Sequence, residues 1–554
     1  MINLGEKVIY QIYPKSFYDS DGDGLGDLQG IIAKIPYIAK LNVDMIWFNP
    51  FFVSPQNDNG YDIADYYQID ERFGTTADFE QLVAELKKIN VGVMLDMVFN
   101  HCSTQHEWFQ KALAGNKKYQ HYFYLRPAKV AGSLPNNWQS KFGGPAWSRF
   151  GQSELYYLHL YDPTQADLDW HNPDVRAEAS KIVNFWRKKG VQGFRFDVIN
   201  VIGKDHELVD SLNPIQEKTL YTDTPVVHQY LKELNQNSFG QDKEIITVGE
   251  MSSTSIANSI EYTRPQEHEL SMVFTFHHLK VDYKNGQKWS NMPFDFMKLK
   301  SLLTSWQLNM DRGNGWNALF WNNHDQPWAL SRFGDTGKYR IKSAQMLATA
   351  LHCLRGTPFI YQGEELGMIN PDYKSISDYV DVESLNAYKE LLRQGKTPQA
   401  AFNLIKGKSR DNSRVPMHWD ASATAGFTNG TPWLQPTNQA EINVNAELDH
   451  GEIFNYYQKL IALRKNYRLI SQGHFIPLLE DNHAVFAYAR CLADSSEKVF
   501  VFNNFYGTDT IVKLPTMCTK QKGKILLSNY PNNLDKLPQE LHLRPYESLV
   551  WCTL

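Results

Sequence analysis

Cysteine is scarce. Five residues, Cys102, Cys353, Cys491, Cys518 and Cys552, are scattered over 554 positions. None stands in a CxxC or other metal spacing, which excludes a zinc ribbon or a dithiol redox centre. An odd, sparse set predicts reduced thiols and a cytoplasmic setting. Long apolar runs are missing as well. Nothing approaches the roughly 18 apolar residues of a membrane span, and Met1–Tyr13 shows no basic stretch ahead of an apolar core, so no export signal is expected. There is no basic excess: Lys+Arg number 56 against 61 Asp+Glu, a formal net charge of -5. A chain without a basic face does not predict nucleic acid as partner. No Gly-rich nucleotide fingerprint follows an early strand, which weighs against a doubly wound dinucleotide fold.

What is present is an alternation. Hydrophobic residues make up 42% and charged residues 21%, ordinary for a globular chain. The length exceeds one compact core, so a large domain with accessories is expected. Short apolar runs at Val8–Tyr13, Met45–Phe48, Val91–Val98, Val191–Phe196, Ile245–Val248, Met272–Phe276, Ala318–Trp321 and Pro358–Tyr361 read as strands. Amphipathic stretches between them, such as Leu28–Leu41, Asp78–Ile89, Val175–Lys189 and Phe296–Asn309, read as helices. Eight repeats of this unit predict an α/β fold, a (β/α)8 TIM barrel. Residues 1–100 and 171–470 would form it, with an insertion after strand 3 over 101–170 and a second after strand 8 over about 367–433. From 471 to 554 the strand-like segments Ala484–Ala489, Lys498–Phe502 and Glu547–Cys552 predict an all-β C-terminal domain.

Acidic residues close several of these strands, where barrel enzymes place their chemistry. Asp197 ends Gly193-Phe-Arg-Phe-Asp, Glu250 ends Thr247-Val-Gly-Glu and Asp325 ends Asn322-Asn-His-Asp. A single strand-end carboxylate is as often a cap or an ion-pair partner. Three together, with His101 after Asp96-Met-Val-Phe-Asn and His324 beside Asp325, form the set that glycoside cleavage needs: one carboxylate to attack and one acid to protonate the leaving oxygen. Arg195, two residues before Asp197, would keep that carboxylate ionised.

The segments Asp96–His101, Gly193–Asn200, Val248–Glu250 and Asn322–Asp325 resemble four ordered motifs of the α-amylase superfamily. The resemblance implies a retaining double displacement without organic cofactor, with Asp197 as nucleophile, Glu250 as acid/base and Asp325 as transition-state stabiliser. Asp62, closing Asn59-Gly-Tyr-Asp, would bind a terminal glucose, Tyr61 would stack on it, and His101, Arg195, His324 and Arg414 would complete that subsite. Arg410 is a second candidate for the arginine role, and His418 stands where an α-glucosidase signature carries glutamine.

The substrate is less fixed. Val198-Ile-Asn after the nucleophile resembles members acting on α-1,6 or α,α-1,1 bonds. Gly249-Glu-Met-Ser-Ser-Thr-Ser, Ser271–Tyr283 and Tyr221-Thr-Asp-Thr-Pro resemble the branch that hydrolyses a phosphorylated disaccharide. Hydrolysis of neutral isomalto-oligosaccharides is the alternative. Ser331-Arg-Phe-Gly-Asp resembles hydrolases more than the arginine-rich loop of sucrose isomerases, and a non-catalytic barrel would have no need of every carboxylate. A phosphorylated sugar needs cations on the leaving-group side of an otherwise acidic pocket. His277, His278, Lys280 and Lys288 follow the sixth strand, and Lys280 and Lys288 are the candidate phosphate ligands.

A second constellation, Asp19-Ser-Asp-Gly-Asp-Gly-Leu-Gly-Asp, places oxygen ligands at alternate positions. Asp19, Asp21, Asp23, the Leu25 carbonyl and Asp27 would encircle a structural Ca2+, although the twelfth position is Gly30 and not the glutamate of an EF-hand. A plain polar turn is the alternative. A monomer, with no membrane partner, is expected.

Overall fold

The structure, a computed structural model, describes residues 2–130 and 132–553. Eight parallel strands form its centre: β1 Ile9–Ile12, β2 Met45–Phe48, β3 Gly92–Val98, β4 Gly193–Asp197, β5 Ile246–Glu250, β6 Met272–Phe274, β7 Ala318–Leu319 and β8 Thr357–Tyr361. Their spatial order is β6-β5-β4-β3-β2-β1-β8-β7, and a parallel bridge from Val273 to Asn317 closes the circle between β6 and β7. This is the (β/α)8 barrel that the alternation predicts. Every residue of the eight strands is buried. Helices cover one face and packed side chains fill the other, so the strands read as continuous apolar runs. The charged exceptions, Asp96, Arg195, Asp197 and Glu250, must therefore be paired.

Local chemistry sets the helix boundaries. Thr75 and Asp78 form a reciprocal capping box at the start of Thr76–Lys88, and Asn172 caps Pro173–Lys188, with proline at the first turn. The single helix read over Leu28–Leu41 is two, Leu28–Ala33 and Ile35–Leu41. Pro36 is the cause: it has no N–H to continue the ladder and disfavours helical geometry in the residue before it.

Between β3 and β4 the chain makes a three-stranded sheet of Leu125–Pro127, Trp147–Arg149 and Leu155–Leu158, and a two-stranded one of His101–Ser103 and Gln165–Asp167. Its buried Trp138, Trp147 and Leu158 pack with Val198, Val201 and Tyr221, from the segment just beyond β4. After β8, helices Val382–Arg393, Pro398–Lys408 and the short Asp411–Arg414 fold back over the mouth of the barrel. The C-terminal strands β9 His474–Leu478, β10 Val485–Cys491, β11 Lys498–Asn504, β12 Gly523–Ser528 and β13 Ser548–Thr553 form an antiparallel sheet in the order β9-β10-β11-β13-β12. Lys300 joins this sheet to the barrel by donating to the carbonyls of Leu479, Asn482 and Val485. Among the described residues no helix is long and apolar enough to cross a membrane.

Candidate active site

Arg195 is the hub. From the middle of β4 its guanidinium, 1% exposed, reaches Asp96 at 2.6 Å, Asp197 at 2.8 Å and Glu250 at 2.5 Å. Parallel register makes this possible: Arg195 lies beside Asp96 on β3 and Val248 on β5, so the three acids project towards one guanidinium. One cation cannot neutralise three carboxylates. Burial pushes Glu250 up to about 7, against the pull of Arg195 and with help from the Asp197 charge. Burial also lifts Asp197, to about 6, while Arg195 and a hydrogen bond from Glu250 pull it down. The proton shared by the pair therefore rests on Glu250, and Asp197 is the anion. Asp96 stays behind them, accepting from Trp47 at 3.2 Å and Tyr61 at 2.9 Å.

Asp325 is built differently. Burial alone would raise it, but His324, Arg410 and Arg414 hold it well below the ordinary carboxylate value. Arg414 donates to it at 2.7 Å and Arg410 stands at 3.5 Å. Burial lowers the His101 pKa to about 4, so that ring is neutral near pH 7; burial also lowers His324, against the pull of Asp325. Tyr61 stacks on His324, 5.2 Å between centroids and 5° between planes.

Asp197, Glu250 and Asp325 meet in a cavity of about 260 Å³ at the C-terminal ends of the strands, with Tyr61 and His101 on its wall. Arg195, His324 and Arg414 are not on that wall. They lie one layer deeper and hold the groups that are. A larger cavity, about 980 Å³, sits at the opposite end of the barrel among Met45, Gly92, Val191 and Ile246, away from every one of these carboxylates.

Several expectations need correcting. Asp62 does not reach the cavity. It is fully buried, and its oxygens accept from Ser54 Oγ at 2.8 Å and from the backbone N–H groups of Asn57 and Asp58 at 2.8 and 3.2 Å. The carboxylate on the wall is Asp58, four residues earlier, held by Arg410 at 3.0 Å. Burial raises it to about 6 despite that arginine. Of the two arginine candidates, Arg410 lines the cavity and Arg414 sits beneath Asp325. Lys288 also lines the cavity, but its charge is met by Glu383 at 2.6 Å. Lys280 is exposed and lies off the cavity wall. His418 is buried, with its Nδ1 donating to the Ile442 carbonyl at 2.9 Å.

In the acidic loop, Asp19, Asp21 and Asp27 each bring an oxygen within 4.8 Å of the others. Asp23 stands outside that trio, exposed, its Oδ1 accepting from Leu25 N at 2.7 Å. Gly24, at φ +95°, lets the chain turn tightly enough for its N–H to reach Asp19 at 2.8 Å.

Wall residues that sequence reading missed include Lys141, Phe142 and Tyr161 from the first insertion and Glu383 from the second. No motif marks them, because they arrive from segments far away in the chain.

The family profile described as "Alpha amylase, catalytic domain" matches residues 11–473, and one for the "Alpha-amylase SusG C-terminal domain" matches residues 485–550. The trehalose-6-phosphate hydrolase of Bacillus subtilis (strain 168) is 49% identical over 98% of this chain and 97% of its own. The oligo-1,6-glucosidase of Parageobacillus thermoglucosidasius is 45% identical over 99% of this chain and 98% of its own. The crystal structure of Bacillus licheniformis trehalose-6-phosphate hydrolase superposes with a TM-score of 0.94 at 50% identity, covering 99% of both chains. With both barrel and carboxylate set in place, these matches establish that the chain belongs to the α-amylase family of glycoside hydrolases.

Proposed function

We propose that the chain is a retaining α-glucosidase that cleaves trehalose 6-phosphate to glucose and glucose 6-phosphate. The observation that carries the mechanism is that Asp197 and Glu250 share one buried guanidinium, at 2.8 and 2.5 Å from Arg195. An inverting enzyme needs its carboxyls roughly 6.5–9.5 Å apart to admit a water, whereas retention uses a pair roughly 5–5.5 Å apart. Asp197 attacks the anomeric carbon while Glu250 gives its proton to the bridging oxygen, and glucose 6-phosphate leaves. Glu250, now ionised, deprotonates a water that attacks the glucosyl–Asp197 ester and frees glucose with its configuration retained. Asp325, held ionised between two arginines, stabilises the cationic sugar ring.

Support for the phosphorylated substrate comes from the nearly full-length similarity to trehalose-6-phosphate hydrolases and from Lys280, beyond the sixth strand, which has no carboxylate within 4.0 Å among the described residues. The similar extent of the match to an oligo-1,6-glucosidase keeps isomaltose as the second reading. Initial rates of glucose release from trehalose 6-phosphate, trehalose and isomaltose at equal concentration decide between them. A strong preference for the phosphorylated sugar is expected, and a preference for isomaltose would overturn it.

The loop Asp19–Asp27 is proposed to hold a structural Ca2+. The convergent Asp19, Asp21 and Asp27 support this, as do the Thr428 hydroxyl and backbone N–H groups that keep Asp19 ionised. Asp23 and the Leu25 carbonyl would complete the ring. A cytoplasmic setting fits five cysteines that are all unpaired.

A further inference from the structure

His324 is fully buried, and its two ring nitrogens face different chemistry. Nδ1 lies 3.0 Å from Gln11 Nε2, and Nε2 lies 3.2 Å from Asp325 Oδ2. Which nitrogen carries the proton follows from a chain of buried groups anchored on Asp96. Both Asp96 oxygens meet groups that can only donate: Arg195 at 2.6 Å on Oδ1 and the Trp47 indole at 3.2 Å on Oδ2. Asp96 is therefore an acceptor, and the Tyr61 hydroxyl gives it its one proton, at 2.9 Å. The Tyr61 oxygen is left to accept, so the group that meets it at 2.7 Å is the Asn49 amide nitrogen. That turns Asn49 Oδ1 towards Gln11, whose Nε2 donates to it at 2.8 Å. The second hydrogen on the same nitrogen is the one left for His324 Nδ1. Each link leaves the next a single orientation.

A donor facing Nδ1 leaves no place for a proton there, so the proton belongs on Nε2. The other tautomer would set a lone pair against the Asp325 anion. A doubly protonated ring would offset the negative charge that Asp325 presents to a cationic sugar. We propose that Gln11 and Asn49 are positioning residues: through Tyr61 they transmit the fixed orientation of Asp96 to His324 and hold its proton on the nitrogen that faces Asp325. This rests on the reading of Asp325 as transition-state stabiliser. Neither Gln11 nor Asn49 lies on the cavity wall, and neither carries charge, so their effect on the reaction runs through the imidazole. The ring is sandwiched between Tyr61, 5.2 Å away at 5°, and Tyr13, 6.1 Å away at 13°, which opposes its turning over. Gln11 on β1, Asn49 just past β2, Asp96 on β3 and His324 beyond β7 meet only because the strands close into a barrel.

The test reads the proton directly, from proton–nitrogen correlation spectra of the intact enzyme carrying nitrogen-labelled histidine. The chain has 17 histidines, and the signals missing in His324→Gln assign the ring. In the wild type a protonated Nε2 and a bare Nδ1 are expected. A proton on Nδ1 would overturn the inference without any further variant. Gln11→Glu keeps the side-chain shape but offers an acceptor, and carboxylate is a weaker base than imidazole, so a proton is expected to appear on Nδ1. With it, kcat on p-nitrophenyl α-glucoside should fall about 10–100-fold while KM changes by less than about threefold. An unmoved nitrogen signal overturns the relay whatever the activity does. Should Gln11→Glu not fold, Gln11→Met decides: it has no donor, so a mixture of tautomers is expected, and a pure Nε2–H ring overturns the relay. Asp325→Asn separates the two readings. A loss of less than about tenfold in its kcat would sink the stabiliser role and this inference with it. A larger loss there, beside unchanged nitrogen signals in Gln11→Glu, would sink the relay alone.

Discussion

At the scale of single residues, the proposed mechanism depends on two carboxyls in one buried environment being kept in different protonation states. Asp197 must be ionised to attack, so activity rises as pH passes upward through about 6. Glu250 must be protonated to act as acid, so activity falls as pH passes through about 7. The kcat/KM profile is therefore expected to be a narrow bell with its maximum between these values, and the two limbs belong to the coupled pair. Glu250→Gln should abolish the alkaline limb and slow turnover of a disaccharide by about 10²–10⁴-fold. Turnover of p-nitrophenyl α-glucoside, whose leaving group needs no proton, should suffer less. A pH–rate series on both substrates checks this, and an alkaline limb persisting in Glu250→Gln would assign it to another group.

At the scale of elements, loops rather than strands decide which side chain does what. The segment from Ser54 to Asp62 has two aspartates four residues apart, and the turn between them sends one inward as its own brace and the other to the cavity. Sequence reading named Asp62 from the run Asn59-Gly-Tyr-Asp without weighing Asp58, and only the hydrogen bonds of the folded loop tell the two apart. The Asp19–Asp27 loop makes a prediction at this scale. Its tip packs on the second insertion through Thr428, so removing a bound Ca2+ would leave acidic groups facing one another beside that contact. Chelation is expected to lower the melting temperature by several degrees, with Ca2+ restoring it, measured by thermal unfolding with and without chelator. Gly24→Ala should mimic the loss, since a Cβ there would lie 2.0 Å from the Thr431 carbonyl oxygen at a backbone φ of +95°.

At the scale of the whole molecule, buried acids away from the reaction tune stability. Glu364 accepts from Asn322 at 2.7 Å and Tyr457 at 2.8 Å, and Glu365 from Tyr10 at 2.7 Å and Tyr37 at 2.6 Å. Burial outweighs these bonds and raises both acids to about 7. Unfolded glutamate titrates near 4.3. A raised folded value means that the stabilising contribution is full below about 4.3 and is lost as pH rises through about 7. Melting temperature should therefore decline as pH rises from about 4.3 towards about 7 and level off above it, and Glu364→Gln, which has no proton to lose, should flatten the slope. A slope unchanged in that variant would place its origin elsewhere.

How much of this was legible follows from where the information sits. The eight barrel strands, the strand-end carboxylates Asp197, Glu250 and Asp325, and the three central C-terminal strands are written in short contiguous runs. Burial on both faces forces a continuous apolar segment, and chemistry sits at its end. Edge strands such as His474–Leu478 and Thr510–Lys513 escaped notice because one side faces solvent and their composition is mixed. The sequence by itself thus determined the barrel, the three carboxyls that share its cavity and the order of the pieces. Tertiary structure alone decided that Asp58 and not Asp62 reaches the cavity, that Arg410 lines it while Arg414 supports Asp325, and that Lys288 is neutralised by Glu383. Those outcomes depend on which groups meet in the folded chain, from 8 residues apart for Ser54 and Asp62 to 352 for Asp58 and Arg410, a question of distance and charge pairing that no sequence pattern records.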